Sequence, residues 1–195
     1  FVLLANPPSA DISDGLPPVG DQGAQNSCAS WACGYYMKSY QEGREHAWDL
    51  GLKAHQFSPA FLYNRLQYYD EGSSIQDNLT LMLQGGCASL ATAPYSWSDS
   101  DTWPSSAAYR EALPYRAQSF TYLGHGETPE LFEAVKSLIV EGQVVVCGFP
   151  VFRPSFSQQG RFDKLNSSNF FYALPAVSDQ ILAGYHAVVL VGYDD

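Results

Sequence analysis

Lysine and arginine are scarce in this chain: 10 residues of 195, against 20 Asp plus Glu, for a formal net charge of −10. Binding a phosphate backbone needs clustered cations, and no basic run exists here, so a nucleic-acid partner is not expected. Long hydrophobic runs are missing too. None approaches the ~20 residues that cross a bilayer. The longest, around Val144 to Phe149 and Ala187 to Val191, are strand-sized. No membrane partner is expected. Cysteines are few, at Cys28, Cys33, Cys87 and Cys147. None forms a Cys-x-x-Cys pair and no histidine sits at a zinc-like interval from them, so neither a metal nor another cofactor is expected. Four cysteines can pair in three ways, and spacing selects none of them.

Apolar residues are plentiful. Hydrophobic residues make up 46% and charged residues 15%, enough to fold one fair-sized domain or two small lobes sharing a core. Aromatics at 14% with few lysines point to an extracytoplasmic or secreted protein. The opening Phe1-Val2-Leu3-Leu4-Ala5-Asn6-Pro7-Pro8 is too short for a signal peptide and lacks its basic start; it reads as the beginning of a processed chain.

Residues 7 to 27 carry many Pro, Gly, Asp and Ser and form a turn-filled entry segment. A helix starts after Ser27, its apolar face marked by Trp31, Tyr35 and Tyr40; Gly34 inside it signals close packing. A second helix opens at Ser58-Pro59 and runs to about Tyr69. A third follows Ser73-Ser74 and ends at Gly85-Gly86. Residues 93 to 116, with Pro94, Pro104 and Pro114, read as loop. Ser119 to Leu123 reads as a strand, Thr128-Pro129-Glu130 opens a fourth helix that stops at Gly142, and Gln143 to Phe149 is a strand. A polar connection from Arg153 to Gln180 precedes a final strand that begins at His186 and ends at Tyr193. Helices then strands make an α+β chain: a mainly helical lobe over 1–115 and a β-rich lobe over 116–195.

The run Asp21-Gln22-Gly23-Ala24-Gln25-Asn26-Ser27-Cys28-Ala29-Ser30 puts a cysteine in the first turn of a helix. Unpaired N–H groups and the positive end of the helix dipole there favour the thiolate, which is the nucleophilic form. Gln22 is placed to return its amide donors to that spot and, with the Cys28 N–H, to stabilise an oxyanion. Of the four histidines, His46 and His55 lie in a charged loop-like stretch and His125 in a turn, and all three read as solvated or structural. His186, held at the start of an apolar strand, is the candidate base.

These residues resemble papain-like cysteine peptidases of bacterial type. Leu16 to Gly23 followed by Ser27-Cys28 looks like their active-site entry, and Tyr185-His186-Ala187-Val188-Val189-Leu190-Val191-Gly192-Tyr193 like their histidine strand. Phe57 to Tyr63 is similar to the second helix, and Glu71 to Ile75 with Gly85-Gly86 and Pro94-Tyr95 to one wall of the cleft. Glu141 to Val146 is similar to the helix-to-strand junction of the second lobe. The resemblance implies a helical lobe packed against an antiparallel β-barrel-like lobe, with the cleft between them. It implies Cys28 as nucleophile, His186 as general base and acid, and Gln22 as oxyanion donor. Peptide bonds would be hydrolysed through a thiolate–imidazolium pair and an acyl-enzyme. Ser73, Ser74 and Gly148 would contact an extended peptide. Implied partners are a peptide or protein substrate and a propeptide.

The sequence departs from that pattern in places. Gln25-Asn26 stands where the family has Cys-Gly, which removes one disulfide, so the cysteines are expected reduced or buried. Ala29 replaces an aromatic. The separation of Cys28 from His186 slightly exceeds the usual ~130–150 residues. The family's imidazole-orienting Asn follows the histidine on a later strand, and the sequence stops at Asp195 before that strand, so that either the molecule is longer or the chain is a truncated, impaired relative. Two other readings stay open: another Cys-His acyl transferase, and a catalytically impaired papain-like scaffold serving as a binding or structural module. Asn78-Leu79-Thr80 and Asn166-Ser167-Ser168 fit the glycosylation pattern, the first inside an expected helix.

Overall fold

Serine and threonine hydroxyls start most of the helices. In the computed structural model, which describes residues 5–66, 71–154 and 180–195, four helices begin with a side-chain cap. Ser58 accepts from the Phe61 N–H at the start of α3 (Pro59–Tyr63), and Ser74 from Asp77 at α4 (Ile75–Gly85). Ser105 accepts from Ala108 at α5 (Ser106–Ala112), and Thr128 from Leu131 at α6 (Pro129–Val140). Each bond satisfies a first-turn amide that has no partner within the helix. Upstream lie β1 (Ser9–Asp11) and a helical run of α1 (Cys28–Ser30), a π-wound segment (Trp31–Lys38) and α2 (Ser39–His46). Downstream lie β2 (Val145–Pro154), β3 (Gln180–Leu190) and β4 (Gly192–Asp194).

Contacts divide the chain into two units, Phe1–Cys147 with Val188–Asp195, and Gly148–Ala187. The core of the first unit gathers Cys33, Phe57, Phe61, Leu62, Met82, Cys87, Ala88, Ala108 and Ala112 from the π segment, α3, α4, α5 and nearby loops. Each large apolar side chain buried there contributes roughly 1.5–3 kcal/mol. Gly34 explains how close the helices come: a Cβ on it would stand 3.0 Å from Leu62 Cδ1 and 3.6 Å from the Ser58 carbonyl. Trp31, Tyr35 and Tyr40, the expected apolar face, are all buried. The buried Lys38–Glu42 ion pair lies one turn apart along the helical run. Tyr40 donates to the Gly142 carbonyl at 3.0 Å, fastening that run to the end of α6.

The strands form two ladders. β1 and β4 pair antiparallel, with Ser9 opposite Asp194, Ala10 opposite Tyr193 and Asp11 opposite Gly192. β2 pairs with β3. The chain is thus α+β, with small two-stranded sheets and no closed barrel among the described residues.

Four expectations are corrected. The stretch 93–116 contains α5: Pro104 and Pro114 bracket the helix rather than break it, and Ser105 followed by an alanine-rich run supplies cap and propensity. Residues 119–123 form no strand; no described strand offers them a ladder, and Phe120, Tyr122 and Leu123 are exposed. α3 ends at Tyr63 and gives way to turns over 64–66; residues 67–70 lie outside the described residues. His186 sits inside β3 rather than at its start, because the ladder with β2 extends upstream to Gln180. Most of the connection after Arg153, with Asn166, lies outside the described residues.

Candidate active site

The entry segment reaches Cys28 through a loop tied by its own polar groups. Gln22 donates from Nε2 to the Gln25 carbonyl at 2.9 Å, and the Gly23 amide donates to Asp21 Oδ1 at 2.8 Å. Gly23 takes φ +60°, and a Cβ there would lie 2.6 Å from Trp97 Cγ, so the Trp97 ring covers the loop. Gln25, almost wholly buried, donates to the Asp99 carbonyl at 3.3 Å. Trp31 meets the Tyr95 ring edge-on at 4.9 Å. The segment 95–99 therefore braces the approach to Cys28 from several points.

Cys28 is half-buried and opens α1. Ser27 occupies the cap position, yet its side chain makes no cap bond; the hydroxyl lies 2.8 Å from the Tyr95 hydroxyl instead. The other cysteines differ. Cys33 and Cys87 are fully buried, and burial pushes both thiols up to about 12, which makes them inert. Burial also raises Cys147. None of the four is in a disulfide.

On the other side of α1, Ser30 Oγ donates to Asn78 Oδ1 at 2.6 Å, and Asn78 Nδ2 donates to Ser73 Oγ at 2.9 Å and the Ser74 carbonyl at 2.8 Å. Gly72 packs beside the Asn26 carbonyl, where a Cβ would lie 3.5 Å away. The structure thus brings Ser73 and Ser74 to the turn that carries Cys28. Their hydroxyls are occupied, Ser73 by Asn78 and Ser74 by the α4 cap and Asp77 Oδ2. Asn78 is fully buried, and its side-chain amide is engaged by Ser30, Ser73 and Ser74.

Gly148 and His186 belong to the second unit. Gly148 lies on β2 and His186 on β3, and Phe149 meets the His186 ring edge-on at 6.2 Å. Burial holds the His186 imidazole below its ordinary value of 6.5, favouring the neutral form. The remaining histidines have other surroundings. His46 and His55 both stack on Trp48, at 4.8 and 4.7 Å, and His125 is exposed.

Sequence reasoning missed Tyr95 and Asn78 as supports of the nucleophile turn. Both act across long sequence separations, to which local patterning is blind; Pro94-Tyr95 drew notice only through the family resemblance.

Solved structures share this architecture. Xylellain, a cysteine protease from Xylella fastidiosa, superposes with a TM-score of 0.75 at 22% identity, over 98% of this chain and 71% of its own. The digestive procathepsin L2 proteinase of Tenebrio molitor larval midgut gives 0.64 at 18%, over 100% of this chain and 56% of its own. A Carica candamarcensis cysteine protease in complex with E-64 gives 0.53 at 19%, over 96% of this chain and 78% of its own. The chain has the papain-like cysteine protease fold. No family model and no curated protein matches the sequence. Among the described residues no helix is long and apolar enough to cross a membrane.

Proposed function

We propose that this protein is a papain-like cysteine peptidase, secreted or extracytoplasmic, with Cys28 as nucleophile and His186 as general base and acid. The observation that carries the reading is Cys28 itself. Of two thiols on one helical run, Cys33 is sealed in the core, while Cys28 opens the helix half-exposed, at the end of a braced loop, in a papain-like fold.

In this reading the two lobes, 1–115 and 116–195, face each other across a cleft, and the thiol meets the imidazole there. Cys28 Sγ attacks the peptide carbonyl, and the carbonyl oxygen gathers negative charge. The Cys28 N–H and the second Nε2 proton of Gln22 receive it, the first being held by the Gln25 carbonyl. His186 takes the thiol proton, passes it to the leaving amine, then activates the water that releases the acyl group. Burial of the imidazole suits the first task, since a neutral ring accepts a proton. With their hydroxyls engaged, Ser73 and Ser74 offer main-chain groups to an extended substrate, as an added strand would be bound, and Gly148 leaves room for a side chain. The proform among the structural neighbours supports a propeptide as a second partner.

The test uses the full chain, a fluorogenic peptide and an epoxide that alkylates ion-paired thiolates. Expected is stoichiometric labelling at Cys28 near neutral pH, lost in Cys28→Ala and sharply slowed in His186→Ala. Hydrolysis should fall by about 10⁶-fold in either variant. Absence of labelling and hydrolysis in the wild type overturns the reading and leaves a binding scaffold. Preferential transfer of the acyl group to an added amine would make the enzyme an acyl transferase instead.

A further inference from the structure

Tyr95 Oη lies 2.7 Å from the Gln22 carbonyl oxygen and 2.8 Å from Ser27 Oγ. A carbonyl only accepts, so the phenolic proton goes to Gln22. The phenol oxygen then has only lone pairs left for Ser27, so Ser27 must donate into it. The direction of the relay is fixed: Ser27 hydroxyl to Tyr95 hydroxyl to Gln22 carbonyl. One phenol therefore ties together the two ends of the loop that leads from Gln22 to Cys28.

The relay also sets what Ser27 does not do. Ser58, Ser74, Ser105 and Thr128 sit at helix starts with extended backbone and turn their hydroxyls onto a first-turn amide. Ser27 sits at the same position with φ −98° and ψ 17°, and its hydroxyl points to Tyr95. It is fully buried, so deprived of Tyr95 its hydroxyl would need another partner within the protein. The amides at the start of α1 are the partners that the other four caps use.

We propose that Tyr95 is a positioning residue for the oxyanion-binding loop: its hydroxyl holds the Gln22 backbone in place and keeps Ser27 from capping the helix that Cys28 opens. The inference rests on the reading of Cys28 as the nucleophile. Tyr95 touches no reacting atom; it acts through Gln22 and Ser27.

Tyr95→Phe is the sharpest variant, because it keeps the ring against Trp31 and removes one oxygen. Expected is a fall in kcat of roughly tenfold or more, a fraction of what losing an oxyanion donor outright costs, with KM within about twofold. Hydrogen exchange at the Cys28–Ser30 amides should slow as Ser27 turns onto them. Adding Ser27→Ala to Tyr95→Phe removes the intruding hydroxyl, and should restore the exchange rates and part of the lost kcat. A double variant as impaired as the single, or exchange unchanged in Tyr95→Phe, overturns the proposal. If the wild type hydrolyses no peptide but the exchange pattern appears and reverses, the relay stands and the peptidase reading falls. Should Tyr95→Phe not fold, the wild type decides by NMR: a slowly exchanging Tyr95 hydroxyl proton coupled to the Gln22 carbonyl is expected, and its absence refutes the relay.

Discussion

Around Cys28, polar side chains fix the backbone through named bonds: Gln22 to Gln25, Ser27 to Tyr95, Ser30 to Asn78, Asn78 to Ser73. Around His186 the setting is different. Its strand runs from exposed Ile181 and Leu182 past the largely exposed Tyr185 to buried Ala187, and the imidazole is characterised by burial and by the Phe149 ring beside it. The nucleophile turn is accordingly sensitive to single polar atoms, and the protonation of the histidine to the burial of its ring.

That contrast breaks most visibly at Asn78. Asn78→Ala removes the acceptor of a buried serine and the donor to Ser73, so about 3 kcal/mol of stability should be lost in urea unfolding. A loss under about 1 kcal/mol would mean that water or relaxation replaces the network, and that the nucleophile turn does not depend on it. The next effect concerns His186. In Cys28→Ala, which removes the thiol from the question, the imidazole should titrate below 6.5 by NMR. Because the folded-state value is depressed, the unfolded chain takes up the proton first as pH falls. Stability is therefore complete above the unfolded value and declines as pH drops through it towards the folded one. A ring titrating above 6.5 in that variant would show a charged partner rather than burial in control. The smallest effect belongs to the surface. Lys136 bridges Asp195 and Glu133, whose carboxylates raise its ammonium, yet both carboxylates are exposed to solvent. Lys136→Met should move the thermal midpoint by no more than about 2 °C, and molar salt should erase the difference.

Legibility in the sequence followed the range of the forces. α4 and α6 were readable almost to the residue, because Ser74 and Thr128 act three positions along the chain and the helices run out at glycine. α5 was hidden by a local signal pointing the wrong way, the prolines at 104 and 114, which here only bracket it. The apolar character of 119–123 suggested a strand, but a strand exists only with a neighbour, and none is described beside it. At the candidate site, Cys28 at a helix start was legible because helix initiation is local. The serine beside it stands where a cap belongs, and its diversion to Tyr95 is not foreseeable from spacing, since the partner arrives from 68 residues away.

The β1–β4 ladder has a kinetic consequence. Its first strand, Ser9–Asp11, is made some 180 residues before its partner, Gly192–Asp194. The loop closed by this pairing is long, and such closures come late because their entropy must be met before any contact rewards it. Ser9–Asp11 would thus wait unpaired while the helices behind it assemble. Zipping β1 to β4 would follow those helices rather than seed them.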